Sequence, residues 1–160
     1  MNVKKLTISG VLAALVFVMT YFPKVPVPVT GGYIHLGDGA IFLASMMLGP
    51  LSIPAAALGS ALSDLVGGYI PYVLPTLIIK GLMALVAWKL YTPGKPLRQL
   101  LAFALAEIIM VAGYFVLEWV MTGFAPAVAA ILPNVIQGVA GIVLGMLCVP
   151  LMPRLQRAMK

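Results

Sequence analysis

From residue 97 to residue 151 the chain is apolar almost without interruption, in two runs that part at Gly123, and between Arg98 and Arg154 its only charged residues are Glu107 and Glu118. A soluble domain has no place for two such runs. A hydrocarbon layer about 30 Å thick does, since each helical crossing needs roughly 20 apolar residues. The remainder of the chain agrees: 62% of its residues are hydrophobic and 9% charged, with a mean hydropathy of +1.11. Soluble domains carry about 25% charged residues. The expectation is an all-α integral membrane protein, one domain over residues 1–160, built as a compact bundle of six transmembrane helices.

Glycines and prolines punctuate the spans. Span one is expected over 6–22 and is stopped by Pro23, Pro26 and Pro28, which make the following segment extended. The remaining spans are expected near 36–48, 52–66, 72–90, 97–121 and 127–151, followed by a basic tail. Met1 to Phe22 has the charge pattern of a signal peptide, but no small-residue cleavage motif follows, so a retained first helix is expected. Short cytoplasmic loops collect Lys and Arg. With the N-terminus inside, Lys4, Lys5, Lys89, Lys95, Arg98, Arg154, Arg157 and Lys160 fall on the cytoplasmic side and only Lys24 outside. Both termini are therefore expected in the cytoplasm, and the long loop between helices 1 and 2 is expected to be extracellular.

That loop ends in Gly31-Gly32-Tyr33-Ile34-His35-Leu36-Gly37-Asp38-Gly39, which holds the only His and one of four acids. It is either a surface turn or a compact segment that presses its main chain on a ligand. Asp38 and Asp64 are expected near the outer ends of spans two and three, as helix caps or partners of loop amides.

Ionisable residues inside a membrane usually face the bundle interior. Glu107 and Glu118 are eleven residues apart, roughly 20° out of register and about 16 Å along one helix, with Tyr114 on the same stripe. Span six presents Asn134 and Gln137 above Gly138, Gly141 and Gly145, a face that either bonds other helices or leaves room for a small polar ligand. On span four, Tyr72, Thr76 and Lys80 form a four-residue ladder, and Lys80 is expected to pair with Glu107 at mid-membrane, as a structural pair or as the floor of the site. Small residues four apart, Gly10 and Ala14, Ala57 and Ala61, Ala102 and Ala106, Gly141 and Gly145, suit close helix packing. On span one, Ser9, Gly10, Ala13 and Ala14 also suit a second membrane subunit. Tyr33, Tyr69, Trp88, Tyr91 and Trp119 are placed near membrane interfaces.

No phosphate-binding loop, His-Glu-x-x-His, paired cysteines or Gly-x-Ser-x-Gly occurs, so no catalytic residues, metal or cofactor are expected and the chain reads as no enzyme. The charge of +6 is scattered between apolar spans, which does not describe a nucleic-acid surface. Cys148 has no partner for an intrachain disulfide.

Tyr33-Ile-His-Leu-Gly-Asp38 after a proline-rich loop, Gly49-Pro50, Asp64-Leu-Val-Gly-Gly68, Ile-Lys-Gly81, Glu107 through Gly113-Tyr-Phe to Glu118, and Pro133-Asn-x-x-Gln137 together resemble the substrate-binding S components of energy-coupling factor (ECF) transporters, in particular the hydroxymethylpyrimidine or pyridoxine branch. The resemblance implies a bacterial cell-membrane protein that captures a vitamin or precursor outside. It would then dock on a transmembrane coupling subunit carrying two cytoplasmic ATPases. It implies His35 and Asp38 in a loop lid, Tyr114, Glu118, Asn134 and Gln137 in the pocket wall, and a docking surface on helix one; the span-four ladder of Tyr72, Thr76 and Lys80 is expected to join them in binding the substrate. The family's Ala-x-x-x-Ala surface is here replaced by Ser9 with Ala13 and Gly10 with Ala14. The reading weighed against it is a stand-alone proton-coupled transporter using Glu107 and Glu118.

Overall fold

The computed structural model describes residues 3–28 and 31–158. Lys160, one of the charges placed in the cytoplasm above, lies outside them. The elements are α1 (Val3–Tyr21), β1 (Val25–Val27), β2 (Gly32–Ile34), α2 (Gly37–Leu48), α3 (Ser52–Val66), α4 (Val73–Leu90), α5 (Pro96–Thr122), α6 (Phe124–Cys148) and α7 (Met152–Ala158). Among the described residues, five stretches are long and apolar enough to cross a membrane: Val3–Tyr21, Gly37–Val66, Ile70–Leu90, Pro96–Thr122 and Phe124–Arg157. The second of these contains both α2 and α3, separated by a 3-10 turn at Gly49–Leu51 where Gly49 adopts φ 61°.

Two expectations change in detail. The extended segment after α1 is not merely extended: it forms an antiparallel hairpin pairing Val25 with Ile34 and Val27 with Gly32. Short strands of Val, Ile and Tyr favour the pairing, and Gly31, at φ 70°, supplies a turn conformation other residues resist. The basic tail is also structured, because the 3-10 turn that contains Pro150 leads into α7.

The packing is inside-out relative to a soluble protein. Leu58, Leu62, Ile78, Leu105, Val116 and Val139 face outward, while Asp38, Lys80, Glu107 and Gln137 are buried. With no water in a bilayer to hydrate polar groups, this is the arrangement a membrane bundle requires. α6 packs on α5 and α2, while α3 packs on α4 and α1. The core at one end is an aromatic stack: Phe42 and Phe103 rings lie 4.3 Å apart and nearly parallel, with Tyr91 beyond. Three of the four small-residue pairs are internal, since Ala57, Ala61, Ala102, Ala106, Gly141 and Gly145 are buried. The pair on α1 differs. Gly10 and Ala14 are exposed, and no atom stands within 4 Å of where a Gly10 side chain would begin.

Candidate ligand-binding site

The site grows from one buried carboxylate. Asp38 lies in the first turn of α2, fully buried, and its Oδ1 is 2.5 Å from Lys80 Nζ of α4. Its Oδ2 accepts a hydrogen bond of 2.7 Å from the Gln137 side-chain amide on α6. The Gln137 carbonyl in turn accepts the backbone N–H of His35 at 3.0 Å. Thus one glutamine ties the loop to the ion pair. The Gly37 N–H donates to His35 Nδ1 at 3.0 Å, which leaves the ring proton on Nε2. Burial pushes the His35 imidazole down to about 3; Asp38 opposes this, and Lys80 and Lys24 add to it.

The expected Lys80 to Glu107 pair is not formed. Lys80 pairs with Asp38, and both oxygens of Glu107 lack a hydrogen-bond partner among the described residues. The reason is that α2 starts inside the bundle. Its first turn is buried, so Asp38, expected near the outer edge as a cap or loop brace, reaches the depth of Lys80. Asp64 does not cap a helix either: its Oδ1 accepts the Tyr33 hydroxyl at 2.5 Å, binding hairpin to α3.

Between the hairpin and the helix ends lies a narrow, partly open cavity of about 40 Å³. Tyr72, Thr76, Tyr114, Glu118, Asn134 and Gln137 line it, as does His35. Asp38 and Lys80 do not; they stand behind Gln137 and Tyr114, with Lys80 Nζ 5.5 Å from the Tyr114 ring centre. Tyr72 donates to Glu118 at 2.6 Å, and the Thr76 and Tyr114 hydroxyls are 3.0 Å apart. The outer part of the α5 stripe, Tyr114 and Glu118, therefore meets Asn134 and Gln137 of the α6 face across one space, while Glu107 lies outside it. Thr20, Tyr33, Asp64 and Tyr69 also line it and were not expected to. Tyr33 and Tyr69, which the sequence alone assigns to an interfacial belt, have ring centres 4.6 Å apart. The hairpin brings Tyr33 to Asp64, 31 residues away in the chain, beside Tyr69, which follows Asp64 closely in sequence. Ser9, Gly10, Ala13 and Ala14 lie on α1, away from the cavity.

The hairpin is held by a second device. Lys24 Nζ sits 4.5, 4.1 and 5.0 Å from the ring centres of Tyr21, Tyr33 and Tyr69, a cage of three aromatic faces around one ammonium. Such contacts contribute about 0.5 to 2 kcal/mol each, most where water is excluded. Partial burial lowers the lysine's pKa, against the pull of Asp64. Nearby, Tyr33 is pushed up, by burial first and then by the Asp64 charge.

A multi-pass helical bundle with polar groups turned inward on a cavity belongs to the class of membrane proteins that bind a small solute within the bundle. The chain belongs to the family of ECF transporter S components: the family model described as ECF-type riboflavin transporter, S component, matches residues 1–154. These are transporter components, not enzymes. Among its relatives, the thiamine precursor transporter HmpT of Lactococcus lactis subsp. cremoris is 33% identical over 157 residues, 96% of this chain and 90% of that protein. A Pyrococcus woesei protein, described as an uncharacterized protein in gap 3'region, is 37% identical over 132 residues, 81% of this chain and 88% of that one. A solved structure, described as "Structure and mechanism of the S component of a bacterial ECF transporter", matches 100% of this chain and 99% of its own at a TM-score of 0.68 and 20% identity, a likeness of fold.

Proposed function

We propose that this chain captures a small, donor-rich nitrogen heterocycle, a vitamin precursor of the hydroxymethylpyrimidine type, as the substrate-binding subunit of an ECF transporter. The observation that carries this reading is the chemistry of the cavity wall. Two carboxylates, Asp64 and Glu118, face it among tyrosine rings and the amides of Asn134 and Gln137. The two lysines close by are engaged, Lys80 with Asp38 and Lys24 with three rings. Such a wall favours flat ligands that donate hydrogen bonds and disfavours anions. Kinship with HmpT, a thiamine precursor transporter, supports the same class.

In this reading α2 and α3 cross the membrane separately, giving six crossings with both termini in the cytoplasm of a bacterial cell. The whole chain acts as one domain. The hairpin closes the cavity from outside, and His35, Gln137 and Asp38 fix it when closed. The face of α1 that carries Ser9, Gly10, Ala13 and Ala14 meets the transmembrane coupling subunit, which carries two ATPases. Mass spectrometry of small molecules carried through purification, followed by calorimetric titration with hydroxymethylpyrimidine, pyridoxine, thiamine and riboflavin, tests the assignment. Tight binding of hydroxymethylpyrimidine is expected. Tighter binding of riboflavin, or of none of the four, would discard it.

A further inference from the structure

Glu107 is a buried acid that takes no part in the cavity wall. Both of its oxygens are shielded from solvent and have no hydrogen-bond partner among the described residues. Its carboxyl is nested against the glycine face of α6: a side chain begun at Gly141 would stand 2.6 Å from Glu107 Oε1 and 2.8 Å from Asp38 Cβ. The two acids therefore share one recess. On its other side Glu107 borders an apolar groove between α5 and α6, whose remaining lining includes Ile108, Val111, Val135 and Val139 and offers no side-chain donor.

Around Glu107, α2 contributes Asp38 and α4 contributes Lys80, while α6 presents Gly138 and Gly141. The loop contributes His35, whose Nδ1 is occupied by the Gly37 N–H. On α5 itself Tyr114 lies two turns along, its hydroxyl directed to Thr76. One ammonium thus faces two carboxyl groups in a dry core. A buried charge without a partner is strongly unfavourable, and a single lysine balances one carboxylate only.

We propose that Asp38, Glu107 and Lys80 form a charge-neutral triad that holds one exchangeable proton. In the arrangement seen, Lys80 pairs with ionised Asp38 and the proton rests on Glu107. The alternative moves that proton from the Glu107 carboxyl to the Asp38 carboxylate as Lys80 Nζ follows the charge to Glu107, so the total charge is unchanged. Gln137 links this exchange to the cavity, because the amide that lines the wall also donates to Asp38. A ligand that draws off the Gln137 amide removes one of the bonds that keep the negative charge on Asp38.

The test needs no ligand, so its failure is separable from a failure of the proposed function. Infrared difference spectra of the purified full chain in lipid at neutral pH, with a deuterium-shift control, read the C=O stretch of protonated carboxyl groups. Relative to the wild type, Glu107→Gln should lose one such group. Asp38→Asn should also lose one, because Lys80 then pairs with an ionised Glu107. Lys80→Met should gain one. Retention of the Glu107 band in Asp38→Asn would overturn the shared proton, as would an unchanged spectrum in Glu107→Gln. Glu107→Gln is close in shape and uncharged, so it should melt within a few degrees of the wild type; a large loss of stability would mean that Glu107 is ionised in the native bundle.

Discussion

Lys80 pairs with Asp38, which Gln137 also holds, and stands over the Tyr114 ring. Removing its charge alone leaves a buried carboxylate with no cation. Lys80→Met should therefore cost about 3 to 5 kcal/mol if Asp38 stays ionised, and less to the extent that Asp38 takes up a proton. Pairing it with Asp38→Asn should recover much of the loss, read as melting temperature in detergent. Gln137 serves loop and ion pair at once, so Gln137→Ala should weaken ligand binding at least tenfold, roughly 1.4 kcal/mol or more. Asn134→Ala should weaken it through the wall alone, without loss of fold. Unchanged affinity in both would remove α6 from the site.

His35 sets a pH dependence whose sign follows from its burial. An unfolded chain protonates its imidazole near pH 6.5, whereas in the fold His35 stays neutral until about 3. Between those values the unfolded state binds the additional proton, so the stability of the loop falls as pH drops through that window and is level above it. The imidazolium would also lose its bond from the Gly37 N–H. Melting curves across the window should show this slope, and His35→Gln should flatten it.

At the scale of elements, the hairpin and α6 are closely fitted to their neighbours. Tyr33 joins the hairpin to Asp64 at 2.5 Å and to the Lys24 cage at 4.1 Å. Deleting residues 31–33 should therefore speed ligand release, and an unaltered off-rate would deny the hairpin its role as a lid. On α6, a side chain at Gly145 would begin 2.9 Å from Phe42 and one at Gly141 still closer to Glu107. Gly145→Val should destabilise the bundle by about 1 to 3 kcal/mol, since the stacked rings behind it have little room to move.

The helices are largely legible in the sequence. Apolar runs and Gly-Pro breaks mark 52–66 to the residue, because a lipid-facing helix must be apolar along its length. The α5 stripe and the Asn134 and Gln137 face are legible because 100° per residue fixes what shares one side of a helix. Which helix stands opposite is not. Lys80 and Glu107 match in depth, but depth says nothing of the direction in which each helix turns, nor that α2 begins deep enough to place Asp38 beside Lys80. Tyr33 and Tyr69 escape for a similar reason, as residues remote in sequence that meet only through the hairpin.

For the whole molecule, the exposed face of α1 and the cavity are separate surfaces, and perturbing them should have separable effects. A bulky residue at Gly10 or Ala14 should leave ligand affinity in detergent unchanged and impair uptake by the assembled transporter. Loss of binding instead would assign those positions to the internal fold.

The Lys24 cage bears on how anything enters. Its ammonium is tethered a few residues from α1, so the three rings are confronted by an occupant at an effective concentration on the order of millimolar or higher. A dilute organic cation in solution cannot compete with a group bound to the same chain. In the lid reading proposed above, drawing Tyr33 out of the cage and unroofing the cavity are a single event rather than two.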